Sequence, residues 1–404
     1  MALGLGTEGY SPRALRLIVR QGGKASSFHE ASEDLGELAG LEVSPKHVER
    51  LTERVGREWQ QRRDGEVEAF KQARLPRQYS QKPSAAAVML DGGRLQTRAG
   101  GGPGGVREPA WREPKYACCM TLESSQSAAD PQPDPPEKFL DAGEVVRLVD
   151  ELSERRAPGR SPSPRQAHKR RRARPETDRP RVLVRTAVAT LERSEDFGHQ
   201  VAAEVYRRNL DLAQVKACVC DGQSYNWKLW EEHLKPLGFL AVLDFLHLLA
   251  HLYAGAQAAY RDSARAWEAY TQWLRWAWRG EVEPLLSALQ DSARRLGAPP
   301  GDAPDQDPRR IVQATLGYVL NNRSRMDYPR YRRLGLPASS APVESLIKQF
   351  NRRVKGSEKF WAAPNAEAVL QVRAAYLSQD DRAARLWLAP RPYARSAGAL
   401  RLCA

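Results

Sequence analysis

Disulfide chemistry is the first thing this sequence lacks. Its five cysteines, Cys118, Cys119, Cys218, Cys220 and Cys403, form an odd set without framework spacing, which excludes a stapled secreted miniprotein and fits reduced thiols in the cytoplasm. No basic flank followed by an apolar stretch opens the chain, so no export signal is expected. A membrane-length apolar run is missing as well. The greasiest stretch, Pro236 to Ala254, is broken by Asp244, His247 and His251, each costly in hydrocarbon. A phosphate-cradling loop is absent, because the glycines from Gly100 to Gly105 precede no strand-to-helix turn, and ATP is not expected. Two zinc motifs also fail. His247 and His251 stand one helical turn apart, but Leu248 occupies the place of a peptidase glutamate, and neither cysteine pair has knuckle spacing. Negative charge is in the minority, with 49 Asp and Glu against 63 Lys and Arg and a net charge of +14. That balance favours polyanionic partners, nucleic acid ahead of an anionic membrane surface.

What is present reads as two or three domains within 404 residues. Residues 1 to 75 are predicted helical, over Ser11 to Val19, Ser27 to Ala39 and Ser44 to Arg62. The turn Gly40 to Val43 and the Ser44-Pro45 start signal give the second pair a helix-turn-helix layout. Lys46, His47, Arg50 and Arg54 then suit a recognition helix in a major groove, or equally a solvated basic face of a small bundle. Strands are predicted at Ala85 to Leu90, Tyr116 to Leu122, Val182 to Leu191, Gln214 to Cys220 and Leu237 to Leu243, with helices at Ser194 to Asn209 and from Ser224. Their alternation implies an α/β sheet. The Pro-rich segment 124–180 is expected to be disordered apart from one helix within Glu137 to Leu152. It ends in the basic run Lys169 to Arg174, which could grip phosphates or remain solvated chain. Residues 245 to about 320 read as helical with a core tryptophan stripe, Trp267, Trp273, Trp276 and Trp278, and final helices run from Pro342 to Arg353 and Asn365 to Leu377.

Three acids stand where a purely structural role explains little. Asp91 ends Val88-Met89-Leu90, Asp221 ends Val219-Cys220, and Glu344 opens the helix at Pro342. Singly they read as a turn, a cap and a helix-dipole partner. As a set they offer oxygen ligands from separate elements, which is what two hard divalent cations need for phosphodiester chemistry. From Asn321 to Trp361 there are ten cations, among them Arg325, Lys348, Arg352, Arg353, Lys355 and Lys359, against three acids. Tyr328, Tyr331, Phe360 and Trp361 are interleaved with them, so the segment suits backbone phosphates and opened bases.

The strings Met89-Leu90-Asp91-Gly92-Gly93-Arg94, Cys220-Asp221-Gly222-Gln223-Ser224-Tyr225-Asn226-Trp227 and Leu243-Asp244-Phe245-Leu246-His247 resemble DDE transposases. With Asn322 to Tyr328, Gly335-Leu336-Pro337, Ser340 to Glu344 and Arg352 to Trp361, the chain is similar to the ISKra-four insertion-sequence family from about Ser27 to Leu377. The resemblance implies a ribonuclease H-like mixed sheet with an all-helical insertion, preceded by the helix-turn-helix-like region. It divides the chain into 1–75, a catalytic core over 84–250 and 321–378, a helical insertion over 251–320, and a tail, 379–404. It implies two Mg²⁺, with Mn²⁺ as substitute, on Asp91, Asp221 and Glu344. Related families carry a Cys-or-Asp, two residues, His signature that Asp244 and His247 match, which gives His247 a role on the scissile strand and Asp244 a supporting one. The expected activity is Mg-dependent strand cutting and joining on double-stranded DNA, at element ends and target, by a homodimer or larger assembly near the bacterial nucleoid, without membrane attachment. The alternative is a catalytically inactive, transposase-derived DNA-binding protein. It is motivated by the Pro-rich insertion and by Ser224-Tyr225-Asn226, where the family more usually has small and apolar residues.

Overall fold

The computed structural model describes residues 9–98, 109–154, 180–356 and 359–388. Its centre is a five-stranded sheet built from β1 (Ala85–Gly92), β4 (Lys115–Glu123), β5 (Arg181–Thr190), β6 (Val215–Cys220) and β7 (Leu240–Leu243). The order across the sheet is β5-β4-β1-β6-β7. β1, β4 and β5 form an antiparallel meander, whereas β6 and β7 run parallel to β1. The mixed α/β class follows the sequence reading. β1 is central, and its run Ala85 to Leu90 is buried throughout, as expected of a strand covered on both faces. Alternation along β4 assigns the faces. Tyr116 packs on Phe350 with ring centroids 4.9 Å apart, while the Thr121 hydroxyl, on the other face, accepts from Arg208 Nη2 at 2.7 Å.

The first face carries α12 (Ala341–Val354) and α13 (Ala363–Leu377); the second carries α5 (Ser194–Arg207). Between β6 and β7 lies α6 (Ser224–Leu229). After β7 come α7 (Phe245–Ala259), α8 (Ser263–Trp278), α9 (Val282–Leu296) and α10 (Pro308–Asn322), which pack on one another, followed by α11 (Tyr328–Arg333). Trp273 and Trp278 are buried and Trp267 and Trp276 pack partly against the core, so the tryptophan stripe is a packing device. The free edge of β7 is closed by side chains rather than by another strand. Tyr331 and Tyr328 hydroxyls donate to Ala241 O and Leu243 O at 3.0 Å, and Trp230 Nε1 to Phe239 O at 2.8 Å.

The amino-terminal helices are α1 (Pro12–Lys24), α2 (Phe28–Ala39) and α3 (Pro45–Lys71), with Ser11, Ser27 and Ser44 as side-chain caps. α3 runs nine residues beyond the expected Arg62 because its stripe Val48, Leu51, Val55 and Trp59 is buried and its far end packs on α5. It crosses α13 in backbone contact at Gly56, where a Cβ would meet Ala368 O at 2.2 Å.

Several sequence expectations need correction. Residues 124–154 are a packed segment: Trp278 Nε1 donates to Gln132 O at 2.8 Å, Arg332 Nε to Asp130 at 2.8 Å, and Phe139 lies in the core. Its helix, α4 (Ala142–Glu154), starts later than Glu137. The basic run Lys169 to Arg174, Glu358 and Cys403 lie outside the described residues. A two-stranded ribbon, β2 (Leu95–Arg98) with β3 (Pro109–Arg112), was not anticipated, nor was α14 (Arg382–Leu388). Among the described residues the four cysteines are reduced and buried, and no helix is long and apolar enough to cross a membrane.

Candidate functional site

The strand registers bring the first two acids together. In the parallel pair β1 and β6, Met89 stands beside Val219, so Asp91 and Asp221, each two residues further on, end neighbouring strands. In the parallel pair β6 and β7, Cys220 stands beside Leu243, so Asp221 and Asp244 do the same, and Asp244 N donates to Cys220 O at 2.8 Å. Three aspartates thus line the carboxyl edge of three adjacent strands. Asp91 is opposite Tyr116, hence on the face covered by α12.

The fourth acid arrives through a staple between α7 and the loop before α12. Phe245 N donates to Ala338 O and Ser340 N to Asp244 Oδ1, both at 2.9 Å. Ser340 precedes α12 and Glu344 follows one helical turn later, so both point into the same corner. The Ser340 hydroxyl lies 2.9 Å from Asp244 Oδ2 and 3.1 Å from Glu344 Oε1. It carries one proton and donates to one carboxylate at a time. His247, on the first turn of α7, donates Nδ1–H to Asp244 Oδ2, which leaves Nε2 facing outward from that contact. Asp244, His247 and Glu344 each offer a ligand atom within 4.8 Å of the others.

The cluster is electrostatically stressed. Burial, then the charge of Asp221 and that of Glu344, push the Asp91 carboxyl up to about 7 against the pull of His247 and the Gly92 N–H. Burial alone would lower His247, but its bond to Asp244 and the charges of Asp244, Asp221 and Glu344 raise it to about 9. Asp244 is fully buried, which would raise it; the bonds from His247 and Ser340 hold it below the usual carboxylate range instead. Four carboxylates therefore face one imidazolium, and Asp91 bears the imbalance.

Asp221 is positioned from three directions. Its Oδ1 accepts from Gln223 N at 3.1 Å and from buried Asn226 Nδ2 at 3.0 Å, and its carbonyl accepts from Tyr318 at 2.8 Å. Gly222 turns the chain with φ +92°, where a Cβ would lie 2.7 Å from the Tyr318 ring. Tyr225 enters the same corner, its hydroxyl 3.1 Å from the place a Gly92 Cβ would take. Burial and the charges of Glu113, Asp91 and Asp221 keep that phenol protonated far above its ordinary range. Sequence reasoning assigned neither Ser340 nor Tyr225. For Tyr225 a usable signal was its place just past the Asp221-Gly222 turn, at the start of the helix that follows.

The expected DNA contacts divide. Lys46, Arg50, Lys348, Arg352 and Lys355 are exposed, with Lys46 paired to Glu49 at 2.7 Å and Lys348 lying 3.9 Å from Glu151. His47 is half-buried beside Tyr10, and Arg54 is half-buried 4.0 Å from Glu58. Arg325 is half-buried over the Trp227 ring and donates to Asn321 O at 2.9 Å. Two expectations are corrected. Arg353 is 1% exposed, and its Nε donates to Gly22 O at 2.7 Å between the Phe28 and Trp361 rings; with Arg373 on Gly23 O it satisfies the carbonyls ending α1. Trp361 is buried with Nε1 on Val354 O at 2.8 Å, so no base can stack on it. Lys359 is half-buried and its ammonium donates to Ser26 O at 2.6 Å, tying α12 to the loop before α2. Comparison of the chain with protein-family models and with curated proteins finds no match.

Proposed function

We propose that this chain cuts and joins DNA strands in the manner of a DDE transposase, with Asp91, Asp221 and Glu344 holding two Mg²⁺ ions. The observation that carries the reading is the meeting of Asp91 and Asp221 at neighbouring strand ends with Glu344 of α12, near enough that the charges of Asp221 and Glu344 add to burial in raising Asp91 to about 7. The donor set is all hard oxygen, which fits Mg²⁺, with Mn²⁺ as substitute. Of the three, only Glu344 belongs to the ligand group it forms with Asp244 and His247; Asp91 and Asp221 would hold cations from the neighbouring strand ends. The finer fold reading, a ribonuclease H-like sheet interrupted by the helical insertion α7 to α10, is supported by the strand order and by the antiparallel meander flanked by two parallel strands.

Bound divalent cations would supply the Lewis acidity for in-line displacement at a phosphodiester, by water first and by a freed 3′ hydroxyl second. The chain's own groups do the rest. Asp244 orients the His247 ring and keeps it protonated, so the imidazolium presents Nε2–H to a phosphate oxygen. Asn226 and Gln223 N hold the Asp221 carboxylate in one orientation. Exposed cations on α3 and α12, Lys46, Arg50, Lys348, Arg352 and Lys355, draw duplex DNA to the surface. Pairing of two element ends calls for a dimer or larger assembly.

The test is Mg²⁺-dependent nicking of a plasmid carrying the DNA that flanks the coding region. Asp91→Ala, Asp221→Ala and Glu344→Ala should each remove cleavage by at least about 10³-fold while gel-shift affinity stays within about threefold. Cleavage retained in all three variants overturns the assignment. A wild-type protein that shifts the DNA without cutting it identifies an inactive DNA-binding descendant instead.

A further inference from the structure

We infer that the β2–β3 ribbon is an arm that grips duplex DNA beside the acid corner. The inference rests on the DNA-cutting reading for its choice of partner and deepens it by naming a contact surface. The ribbon is short and its two faces differ. Leu95 and Thr97 are buried against the body, while Arg94, Arg98, Trp111 and Arg112 are exposed, Trp111 at 44%. Arg94 lies over the Trp111 ring at 5.3 Å. None of the three guanidiniums has an ion pair or hydrogen bond with a described residue. Beyond the Arg94–Trp111 contact, three exposed guanidiniums around a large indole, with Glu113 beside Arg112 as the adjoining acid, gain little from the fold that carries them. It suits a polyanion with flat bases: arginines take phosphates and an indole takes an opened base or a sugar.

Position decides which polyanion and where. Asp91 stands three residues before Arg94, so the arm extends directly from the strand that carries the first acid. Its other root is Pro114, whose carbonyl accepts from Gly93 N at 2.9 Å. Arg98 N donates to Trp361 O at 2.8 Å and Trp361 N to Gln96 O at 3.2 Å, which ties the ribbon to the segment that follows α12. The arm is therefore rooted in β1, which carries Asp91, and tied to the segment beyond the far end of α12, whose first turn carries Glu344. A two-stranded ribbon also has the width that a DNA groove admits. The surface indole of this protein is Trp111, in place of the buried Trp361.

The experiment compares wild type, Arg94→Gln/Arg98→Gln/Arg112→Gln and Trp111→Ala on a 30-base-pair duplex from the flanking DNA, by fluorescence anisotropy over a salt series, with melting temperature as the folding control. Because the side chains are exposed, melting should not change. The triple variant should weaken binding at least tenfold and reduce the slope of log affinity against log salt by about 0.9 for each phosphate no longer neutralised, up to nearly 3. Trp111→Ala should weaken binding to a duplex with a single-stranded end about tenfold, and to a blunt duplex by much less. Unchanged affinity and slope in the triple variant, beside a wild type that cuts DNA, overturn the arm and leave the catalytic reading standing. Binding abolished in the triple variant, beside a wild type that never cuts, supports the arm and overturns the catalytic reading. A wild type without measurable DNA affinity overturns both.

Discussion

Two buried clusters of carboxylates in this molecule have opposite electrostatic fates. Around Glu204, on α5, every acid is answered. Arg382 and Arg207 bind its carboxylate, Arg208 adds its charge, and Asp380 is held by Arg382 at 2.8 Å and Arg385 at 3.2 Å. Burial would raise Glu204 and Asp380, but the guanidiniums hold both below the usual carboxylate range. Around Asp91 the acids of three strands and a helix meet a single imidazole, and burial together with the charges of Asp221 and Glu344 drives Asp91 the other way. Both clusters are products of packing, so burial alone does not mark a functional site. The difference is whether the fold supplies the counter-charge. The first cluster ties α5 to α14 with a guanidinium for each acid; the second sets one imidazole against four acids.

The comparison can be broken from either side. The largest effect on stability is expected from Glu204→Gln, which leaves several guanidiniums buried without their acid and should cost about 3 to 5 kcal/mol in denaturant titration. Asp221→Asn should leave stability in metal-free buffer unchanged or raised, because it removes a like charge; comparable losses in both variants would erase the distinction. Acid titration follows with a definite sign. The depressed acids Glu204 and Asp380 bind fewer protons folded than unfolded, so their contribution is complete above about pH 5 and is lost as pH falls below about 4 toward their folded values. Glu204→Gln should flatten that acid limb of a melting-temperature profile. A smaller effect distinguishes the other cluster. Mg²⁺ at ten times its dissociation constant should stabilise wild type by about 1.4 kcal/mol, read as a rise in melting temperature of about 2 °C. That rise should vanish in Asp221→Asn and persist in Glu204→Gln; a rise common to all three points to non-specific ion effects. The smallest expected change is Tyr225→Phe, which removes a hydroxyl near Glu113 and Asp91 and should slow cleavage about tenfold with DNA affinity intact. An unchanged rate removes Tyr225 from the site.

Much of this architecture is legible in the linear chain, and the reason is local. Val88-Met89-Leu90, Cys118 to Leu122 and Val219-Cys220 announce strands because runs of apolar and β-branched residues bounded by Gly or Pro have few other uses. Ser11-Pro12 and Ser44-Pro45 announce helix starts because hydroxyl caps and a fixed φ favour them. The β2–β3 ribbon escaped because Arg94 to Arg98 is short and polar and its pairing partner lies beyond a glycine-rich stretch. Residues 124–154 escaped because proline suggests disorder until Phe139 and Asp130 find partners on α8 and α11, well over a hundred residues away.

By itself the sequence determined the α/β alternation, the helical block after β7 and the strand-end places of Asp91 and Asp221, since each depends on residues within a few positions of one another. Only the tertiary structure decided that Arg353 and Trp361 are internal, that Ser340 sits between Asp244 and Glu344, and that Trp111 is the indole on the surface. Those outcomes depend on which remote element covers a side chain. Burial and uncompensated charge arise from packing across long sequence separations, and no local pattern encodes them.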